Sequence, residues 1–285
     1  MTNTILVVGA VGKFAGLVVP ELARRAAKVR GLVRSADQFD RARLAGAQEV
    51  VVADLANKHQ VIQALKDVDA VFYIAPAFLP NEAAVGKGVV EAAERAGVRR
   101  FVFSSVIHPV LSALANHAAK GPVEEALLIS GMEYVFLHPT VFFQNFIESW
   151  PMIVQSGVLV EPWSADTRFS RVDYRDVAEA AAVALTEDRL LYGTFECCAE
   201  GWHDRHEVAA IISQVLGRPI KAERLDPKTA AAGAGPGAAA LERMFDWYDK
   251  RGLMGSAVSL RAILGREPRT LRAFFEELAA GESAA

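Results

Sequence analysis

Short apolar segments alternate with helix-like segments through the first two thirds of the chain, and this alternation constrains the fold more than any other feature. The apolar segments are too continuous for strands with one face in water, so we expect each strand to be covered on both faces. Buried strands that alternate with helices form a parallel α/β sheet with right-handed crossovers. A hydrophobic content of 52% over 285 residues supplies a core for such a sheet without disulfides. The predicted strands are 5–8, 29–33, 49–52, 70–74, 101–103 and 133–137, and the predicted helices include 13–27 and 81–96.

The alternation loosens after Pro139, which indicates a second, smaller and mostly helical lobe. Residues 229–237 are almost all alanine, glycine and proline, and we expect them to form a loop beside a short helix. We predict two domains, residues 1–150 and residues 151–285, with about 172–197 returning to the sheet of the first. The predicted elements of the second part are helices at 176–185, 206–216, 241–251 and 271–278 and a short strand at 194–196.

Charge and composition argue against nucleic-acid and membrane partners. Thirty-one Lys and Arg residues against 34 Asp and Glu residues leave a net charge of −3, which lacks the basic surplus typical of nucleic-acid-binding proteins. No segment approaches the roughly 20 apolar residues that a membrane span requires. We therefore expect a cytoplasmic protein.

The cysteines and nearby histidines do not predict a disulfide or a metal site. Cys197 and Cys198 are adjacent, so in a strand their side chains would point to opposite faces, which disfavours a disulfide between them. Their spacing to His203 and His206 matches no common zinc motif. We expect a reducing compartment and no bound metal.

A glycine-rich segment, Gly9-Ala10-Val11-Gly12-Lys13-Phe14-Ala15-Gly16, follows the first predicted strand and opens the first predicted helix. In a strand–turn–helix unit, such a segment lets a pyrophosphate reach backbone N–H groups, and the alternative is an ordinary glycine turn. Gly9 would make the tight turn, Gly12 would let the backbone approach the phosphates, and Ala15 would allow close helix–strand packing. The predicted cofactor contacts here are Gly9, Val11, Gly12, Lys13 and Phe14.

The end of the second predicted strand favours NADPH over NADH. Sites that prefer NAD place an acidic residue there to bind the adenosine ribose, but this chain has Arg34 and Ser35. A guanidinium at this point suits a 2′-phosphate through charge-assisted hydrogen bonds, and the alternative is a solvated arginine at a strand end.

The ends of the next two predicted strands belong to the same edge of the sheet. Asp54 and Leu55 follow the third strand and are placed to line an adenine, while Ala75 and Pro76 follow the fourth and could line the pyrophosphate and nicotinamide. Each pair could also be only a turn.

Further motifs continue to the end of the chain: Ala53-Asp54-Leu55, Phe103-Ser104-Ser105, Lys120 followed by Glu124-Glu125, and the segments 137–146, 172–178 and 216–219. With the glycine turn and Arg34, they resemble the NmrA-like branch of the atypical short-chain dehydrogenases/reductases over nearly the whole length. The resemblance implies a Rossmann-type doubly wound sheet that binds NADP(H), with a smaller substrate-binding lobe. Two positions depart from the family pattern: Val11 stands where threonine is usual, and His138 where arginine is usual.

The proton-donating tyrosine–lysine pair of the main short-chain branch is not encoded, because none of the five tyrosines has a lysine four positions later. The resemblance instead implies that Lys120 lies near the nicotinamide, where it would orient the ribose or donate a proton. A surface lysine at a helix start is the equal alternative. Ser104 and Ser105 end a strand at the same crevice and could hydrogen-bond substrate or nicotinamide, although serine is also common at strand ends.

Other polar and aromatic residues near this site are open to two interpretations. His108 and His117 could relay a proton, but loop histidines without a catalytic role are the more frequent case. Pro139 and Phe142 are predicted cofactor contacts, and Phe142 with Phe143 could form the wall for a flat apolar substrate or simply pack in the core.

The sequence thus predicts a flavin-free, NADPH-dependent oxidoreductase with Lys120 and Ser105 as catalytic residues. By resemblance, the acceptor is a small aromatic or apolar molecule: a quinone, an azo compound or an activated double bond. The alternative is a regulatory protein that senses NADP(H) and acts through a protein partner. A homodimer is left open.

Overall fold

A computed structural model describes residues 3–76, 79 and 81–281. The strands are β1 Thr4–Val8, β2 Lys28–Val33, β3 Glu49–Val52, β4 Ala70–Ile74, β5 Arg100–Ser104, β6 Glu133–Pro139, β7 Val141–Phe142, β8 Val158–Glu161, β9 Arg171–Val172, β10 Thr194–Cys197 and β11 Lys221–Arg224. The helices are α1 Val18–Arg24, α2 Phe39–Leu44, α3 Lys58–Ala64, α4 Glu82–Arg95, α5 Ala115–Ala118, α6 Gly121–Ile129, α7 Phe146–Ser156, α8 Tyr174–Thr186, α9 Arg205–Leu216, α10 Pro227–Ala231, α11 Ala238–Arg251, α12 Val258–Leu264 and α13 Leu271–Ala279. None of the helices in these described ranges is long and apolar enough to cross a bilayer.

The chain divides into two compact units, of which the first comprises Met1–Val110, Asn116–His138 and Val177–Phe195. It is built on a seven-stranded parallel sheet in the order β10-β6-β5-β4-β1-β2-β3. The strand order reverses between β1 and β4, which is the switch point at which doubly wound sheets bind ligands beyond the carboxyl ends of their strands. The predicted α/β fold class, including the Rossmann-type sheet with a helical C-terminal region, is confirmed.

One part of the core of the first unit lies between one face of this sheet and the helices α3, α4 and α6. Tyr73 and Phe103 stack on neighbouring strands, with ring centroids 5.6 Å apart. A Cβ atom at Gly86 would lie 2.5 Å from Cγ2 of Val123, so a glycine at this position allows α4 and α6 to pack closely. This close approach brings the first turns of α4 and α6 together.

The second unit comprises Leu111–Ala115, Pro139–Asp176 and Glu196–Ala285. Two short parallel pairs, β8 with β11 and β7 with β9, accompany its helices. Its apolar core includes Phe143, Trp150 and Phe275. The fully buried Asp176 accepts hydrogen bonds from Arg266 and Arg269 and so fixes the segment before α13. The domain division predicted at residue 150 stays a prediction.

Two predicted elements differ from the structure. Residues 229–237, predicted as a loop, belong instead to α10 and a following 3₁₀ turn, Ala232–Gly237. Asp226 starts this helix by accepting a hydrogen bond from the N–H of Thr229 at 2.8 Å, and Pro227 at its first position is suited to the helical φ. The predicted helix 13–27 is reduced to a 3₁₀ turn, Ala15–Leu17, and α1.

Candidate functional site

The glycine turn that the sequence predicts to bind phosphate follows β1 directly. Gly9 adopts φ +74°, a conformation that favours glycine, and its N–H donates to the carbonyl of Leu32 at 3.0 Å. A Cβ atom on Gly12 would lie 3.1 Å from the carbonyl oxygen of Gly9, so a side chain there would crowd the turn. Gly12 and Lys13 are exposed, Val11 and Phe14 are half-buried, and Ala15 is buried. The turn therefore presents a small, accessible backbone surface.

Two arginines flank this turn, and one of them was missed by the sequence prediction. Arg34 is exposed, and among the described residues its guanidinium has no hydrogen-bond or ion-pair partner, so it is available to an anion. Its backbone N–H donates to Oε1 of Gln38 at 3.0 Å, and Ser35 is extended and half-buried. Arg41 on α2 donates to the carbonyl of Val11 at 3.3 Å, which brings a second guanidinium to the turn.

A cavity of about 160 Å³ lies beyond the end of β3. Leu55 lines this cavity, whereas Asp54 organises its own loop by accepting from the N–H of Ala56 at 3.0 Å. Apart from Lys58 and Asn81 the lining is apolar, which suits a flat base. The cavity is lined by Leu55, Ala56, Lys58, Val61, Asn81, Ala84, Val85 and Gly88.

The ends of β4 and β5 lie next to each other in the sheet. Ile74 is in register with Ser104, and each strand is followed by a predicted site residue, Ala75 and Ser105. Ala75 is buried and Pro76 half-buried, whereas Ser104 is fully buried. These positions are therefore at the carboxyl edge where a ligand of this fold binds.

Lys120 is buried and ion-paired, so the alternative interpretation as a surface lysine is wrong. It is 7% exposed, and its ammonium donates to Oε1 of Glu82, which is 3% exposed and begins α4. The hydroxyl of Tyr73 lies nearby and has no hydrogen-bond partner among the described residues. Burial, followed by the negative charge of Glu82, raises the pKa of Tyr73, so this phenol stays protonated.

A second polar group lies one turn further along α6. Glu124 Oε1 accepts a hydrogen bond from the Ser105 hydroxyl and lies 2.9 Å from Nε2 of His138. Ser105 and His138 are both buried, and Glu124 is nearly so. His138, which stands where arginine is usual in the family, thus contacts the carboxylate of Glu124.

Of the other two histidines considered from the sequence, His117 is less suited to proton transfer. His117 on α5 is fully buried, and its Nδ1 lies 3.2 Å from the carbonyl of His108. Burial lowers the pKa of His117 to about 4, and the charge of Lys120 acts in the same direction, so this ring is neutral at neutral pH. Its role is to fill the interior beside Lys120.

Pro139 and Phe142 belong to the second unit, and their predicted cofactor contacts stay predictions. Pro139 is buried at the end of β6. Phe142 is half-buried and contacts Tyr174 edge to face, with ring centroids 4.9 Å apart. Phe143 packs in the core, where its ring centroid lies 5.5 Å from that of Phe274, so it cannot form a substrate wall.

Cys197 and Cys198 are both buried free thiols, and burial raises the pKa of Cys198 to about 12, which keeps it unreactive. No cluster of three or more His, Cys, Asp or Glu side chains able to hold a metal ion occurs in the part of the chain that the structure describes.

Comparison with known proteins agrees with this geometry. A family model described as the NmrA-like family matches residues 1–275. The chain belongs to the NmrA-like family. The resemblance stated from the sequence motifs is thereby confirmed.

Relatives of this NmrA-like chain include reductases. It is 28% identical over 288 residues to an NAD(P)H azoreductase of Xenophilus azovorans, covering 99% of this chain and 100% of that protein. An NADPH-dependent quinone oxidoreductase of Escherichia coli, solved with NADPH, has a TM-score of 0.85 at 22% identity and covers 96% of this chain and 99% of its own. A triphenylmethane reductase of a Citrobacter species, solved with NADP(H), has a TM-score of 0.84 at 22% identity, covering 97% of this chain and 99% of its own. At this identity the two solved structures support the fold.

The partners of the catalytic candidates are not identified as functional residues by the sequence. Glu82 and Glu124 accept hydrogen bonds from Lys120 and from Ser105, yet Glu124 enters only as part of a family motif and Glu82 not at all. The signal for each is weak, because each lies in the first turn of a helix, where acidic residues are common for reasons of the helix dipole alone. Only contact with a buried cation or hydroxyl distinguishes them.

Proposed function

We propose that this NmrA-like protein is an NADPH-dependent reductase that transfers hydride directly to an apolar, electron-poor acceptor such as a quinone or an azo compound. The observation that carries the proposal is the buried polar cluster of Lys120, Glu82, Ser105, Glu124 and His138 in the first unit. Buried charged groups are costly unless they are paired, so such a cluster at a ligand-binding sheet edge favours a catalytic use.

The residues that are present fit the cofactor. Arg34 would bind the 2′-phosphate, the glycine turn the pyrophosphate, and the cavity beside Leu55 the adenine. From β2, which ends before Arg34, to β6, which carries His138, there are four strand intervals, or roughly 19 Å. An extended dinucleotide that lies across the carboxyl edge would therefore bring its nicotinamide end toward β5 and β6. When bound, NADPH supplies the hydride.

Lys120 and Ser105 are proposed as the catalytic residues. Lys120 is held by Glu82 with its ammonium facing the interior, where it would orient the nicotinamide ribose and stabilise negative charge on the reduced acceptor. The Ser105 hydroxyl follows the end of β5 and would hydrogen-bond the acceptor. Ser104 and the segment Ala75-Pro76 would line the site beside Ser105, at the ends of β5 and β4.

The acceptor class rests on the relatives. The azoreductase matches this chain over its full length, and the names of the structural relatives specify a quinone and triphenylmethane dyes as the acceptors of those proteins. All three classes are conjugated, electron-poor and easily reduced. We therefore propose the same chemical class here.

The proposal is tested by NADPH oxidation with purified, flavin-free protein against a panel of quinones, azo dyes and enones, with NADPH binding titrated in the same buffer. Turnover above the uncatalysed rate with at least one panel member is the expected result. Tight NADPH binding without turnover on any of them would refute the reductase function for this acceptor class and favour a protein that senses NADP(H).

A further inference from the structure

Two proton-bearing side chains meet at a single carboxylate oxygen. Glu124 Oε1 accepts from the Ser105 hydroxyl, and the same oxygen lies 2.9 Å from His138 Nε2. Ser105 is 6% exposed and His138 is 8% exposed. A proton that leaves His138 can therefore reach Ser105 through one oxygen atom without crossing bulk water.

The sheet register explains why these three residues meet. Ser104 of β5 is in register with Leu137 of β6, and the next N–H, that of Ser105, donates to the carbonyl of Leu137 at 2.9 Å. Ser105 and His138 are thus the next neighbours across the two strands, and neighbours in register share a face of the sheet. Glu124, in the first turn of α6, lies over that face.

Several other ionisable groups near this path are buried or ion-paired. On α6, Lys120 is one turn before Glu124, and its ammonium is neutralised by Glu82 of α4. On β4, the buried phenol of Tyr73 stays protonated because its pKa is raised, and on α5 the imidazole of His117 stays neutral. An imidazole can both accept and release a proton, and the contact of His138 with Glu124 places such a group on the path.

We propose that His138, through Glu124 and Ser105, supplies the proton that follows the hydride. The inference rests on the proposed reductase function and deepens it. A quinone acceptor gains two electrons and one hydrogen as hydride from NADPH, which becomes NADP⁺. The imidazolium of His138 gives its Nε2 proton to Glu124 Oε1, and this oxygen passes a proton to Ser105 Oγ. In the same step the Ser105 hydroxyl proton goes to the resulting hydroquinone monoanion, so Ser105 ends as a hydroxyl and Glu124 as a carboxylate. His138 is then reprotonated by water.

The departure from the family pattern at position 138 provides the sharpest test. His138→Arg keeps a cation and hydrogen-bond donors facing Glu124, but a guanidinium does not release its proton at neutral pH. The value of kcat with the best quinone at pH 7 is expected to fall by roughly 10²-fold, the contribution typical of a positioned proton donor, while the Kd for NADPH changes by less than about twofold. The kcat of this variant should also vary less with pH than that of the wild-type protein.

Controls separate this path from simple damage to the fold. His206→Arg is the matched substitution at an exposed histidine beside Asp166, and it should leave kcat unchanged. Glu124→Gln breaks the path at its centre, so the double variant Glu124→Gln/His138→Arg should lose no more activity than the more impaired single variant. Additive losses would show two independent roles and would overturn the relay.

A readout without cofactor or turnover completes the test. In the cofactor-free protein, the imidazole NMR signal of His138 is assigned by its loss in His138→Arg. The chemical shift of this signal at pH 7 is expected to change in Glu124→Gln, because the imidazole then faces a neutral amide in place of a carboxylate. An unchanged chemical shift, or a His138→Arg enzyme with the wild-type kcat and pH profile, would overturn the relay. Absence of turnover in the wild-type protein would instead overturn the reductase function itself.

Discussion

Replacing one member of the Lys120–Glu82 pair should destabilise the protein far more than replacing both. The two side chains are 7% and 3% exposed and each pairs with the other, so Glu82→Met leaves an ammonium buried without its carboxylate. Breaking a buried pair from one side typically costs about 3–5 kcal/mol, a large part of the roughly 5–15 kcal/mol by which a domain is stable. Lys120→Met should cost a similar amount, since Glu82 then stays buried without a cation.

The double variant decides whether burial is the cause. Glu82→Met/Lys120→Met removes both charges and keeps side chains of similar length, and apolar replacement of a whole buried pair is often neutral or stabilising. The free energy of unfolding of the double variant is expected to lie within about 2 kcal/mol of wild type, well above either single variant. Urea unfolding followed by circular dichroism measures all four proteins.

A substitution at an exposed position of α4 serves as the control for the unfolding free energies. Glu91→Met on α4 changes an exposed glutamate and should alter the unfolding free energy by no more than about 0.5 kcal/mol. Single variants as stable as this control, or a double variant that loses the sum of both single effects, would refute the reasoning from burial.

Three further predictions concern the cofactor, catalysis and pH. Arg34→Glu should shift the preference from NADPH toward NADH, because a carboxylate repels a 2′-phosphate, and unchanged selectivity in binding titrations would remove Arg34 from that role. Lys120→Ala should lower kcat far more than it weakens NADPH binding, whereas equal losses, or none, would show that Lys120 is a bystander. His117 has a pKa of about 4 in the folded protein and of about 6.5 when exposed, so the unfolded chain binds the proton more readily. The free energy of unfolding should therefore fall by up to about 3 kcal/mol as the pH drops from 6.5 to 4. Urea unfolding of His117→Gln should show a smaller loss over that interval, and an equal loss would contradict the assignment.

The fold could be read from the sequence because its signals are local. Strands such as Thr4–Val8 and Ala70–Ile74 are almost continuously apolar, and this pattern alone indicates that both of their faces are buried. The geometry of the turn at Gly9 and Gly12 excludes side chains, so the two glycines indicate the turn in the sequence. Residues 229–237 were wrongly predicted as a loop because composition outweighed the capping signal of Asp226 and Pro227.

The same reasoning identified some residues of the candidate site but not their partners. Lys120 and Ser105 could be chosen by resemblance, but a residue type does not reveal its partner. Glu82 lies 38 positions before Lys120, and Ser105 lies 19 positions before Glu124. No periodicity links residues at such separations. Arg41 was missed for the same reason, since its contact with Val11 spans 30 positions.

The sequence by itself determined the parallel sheet, the glycine turn after β1 and the exposed arginine after β2, because each depends on interactions within a strand, a turn or one strand–helix unit. The tertiary structure alone decided which charges meet: the close approach of α4 and α6 at Gly86 pairs Glu82 with Lys120, and the register of β5 with β6 sets Ser105 beside His138 under Glu124. Burial then fixes which of these groups can change its charge, because the cost of burying an unpaired charge depends on surroundings that only the folded chain supplies.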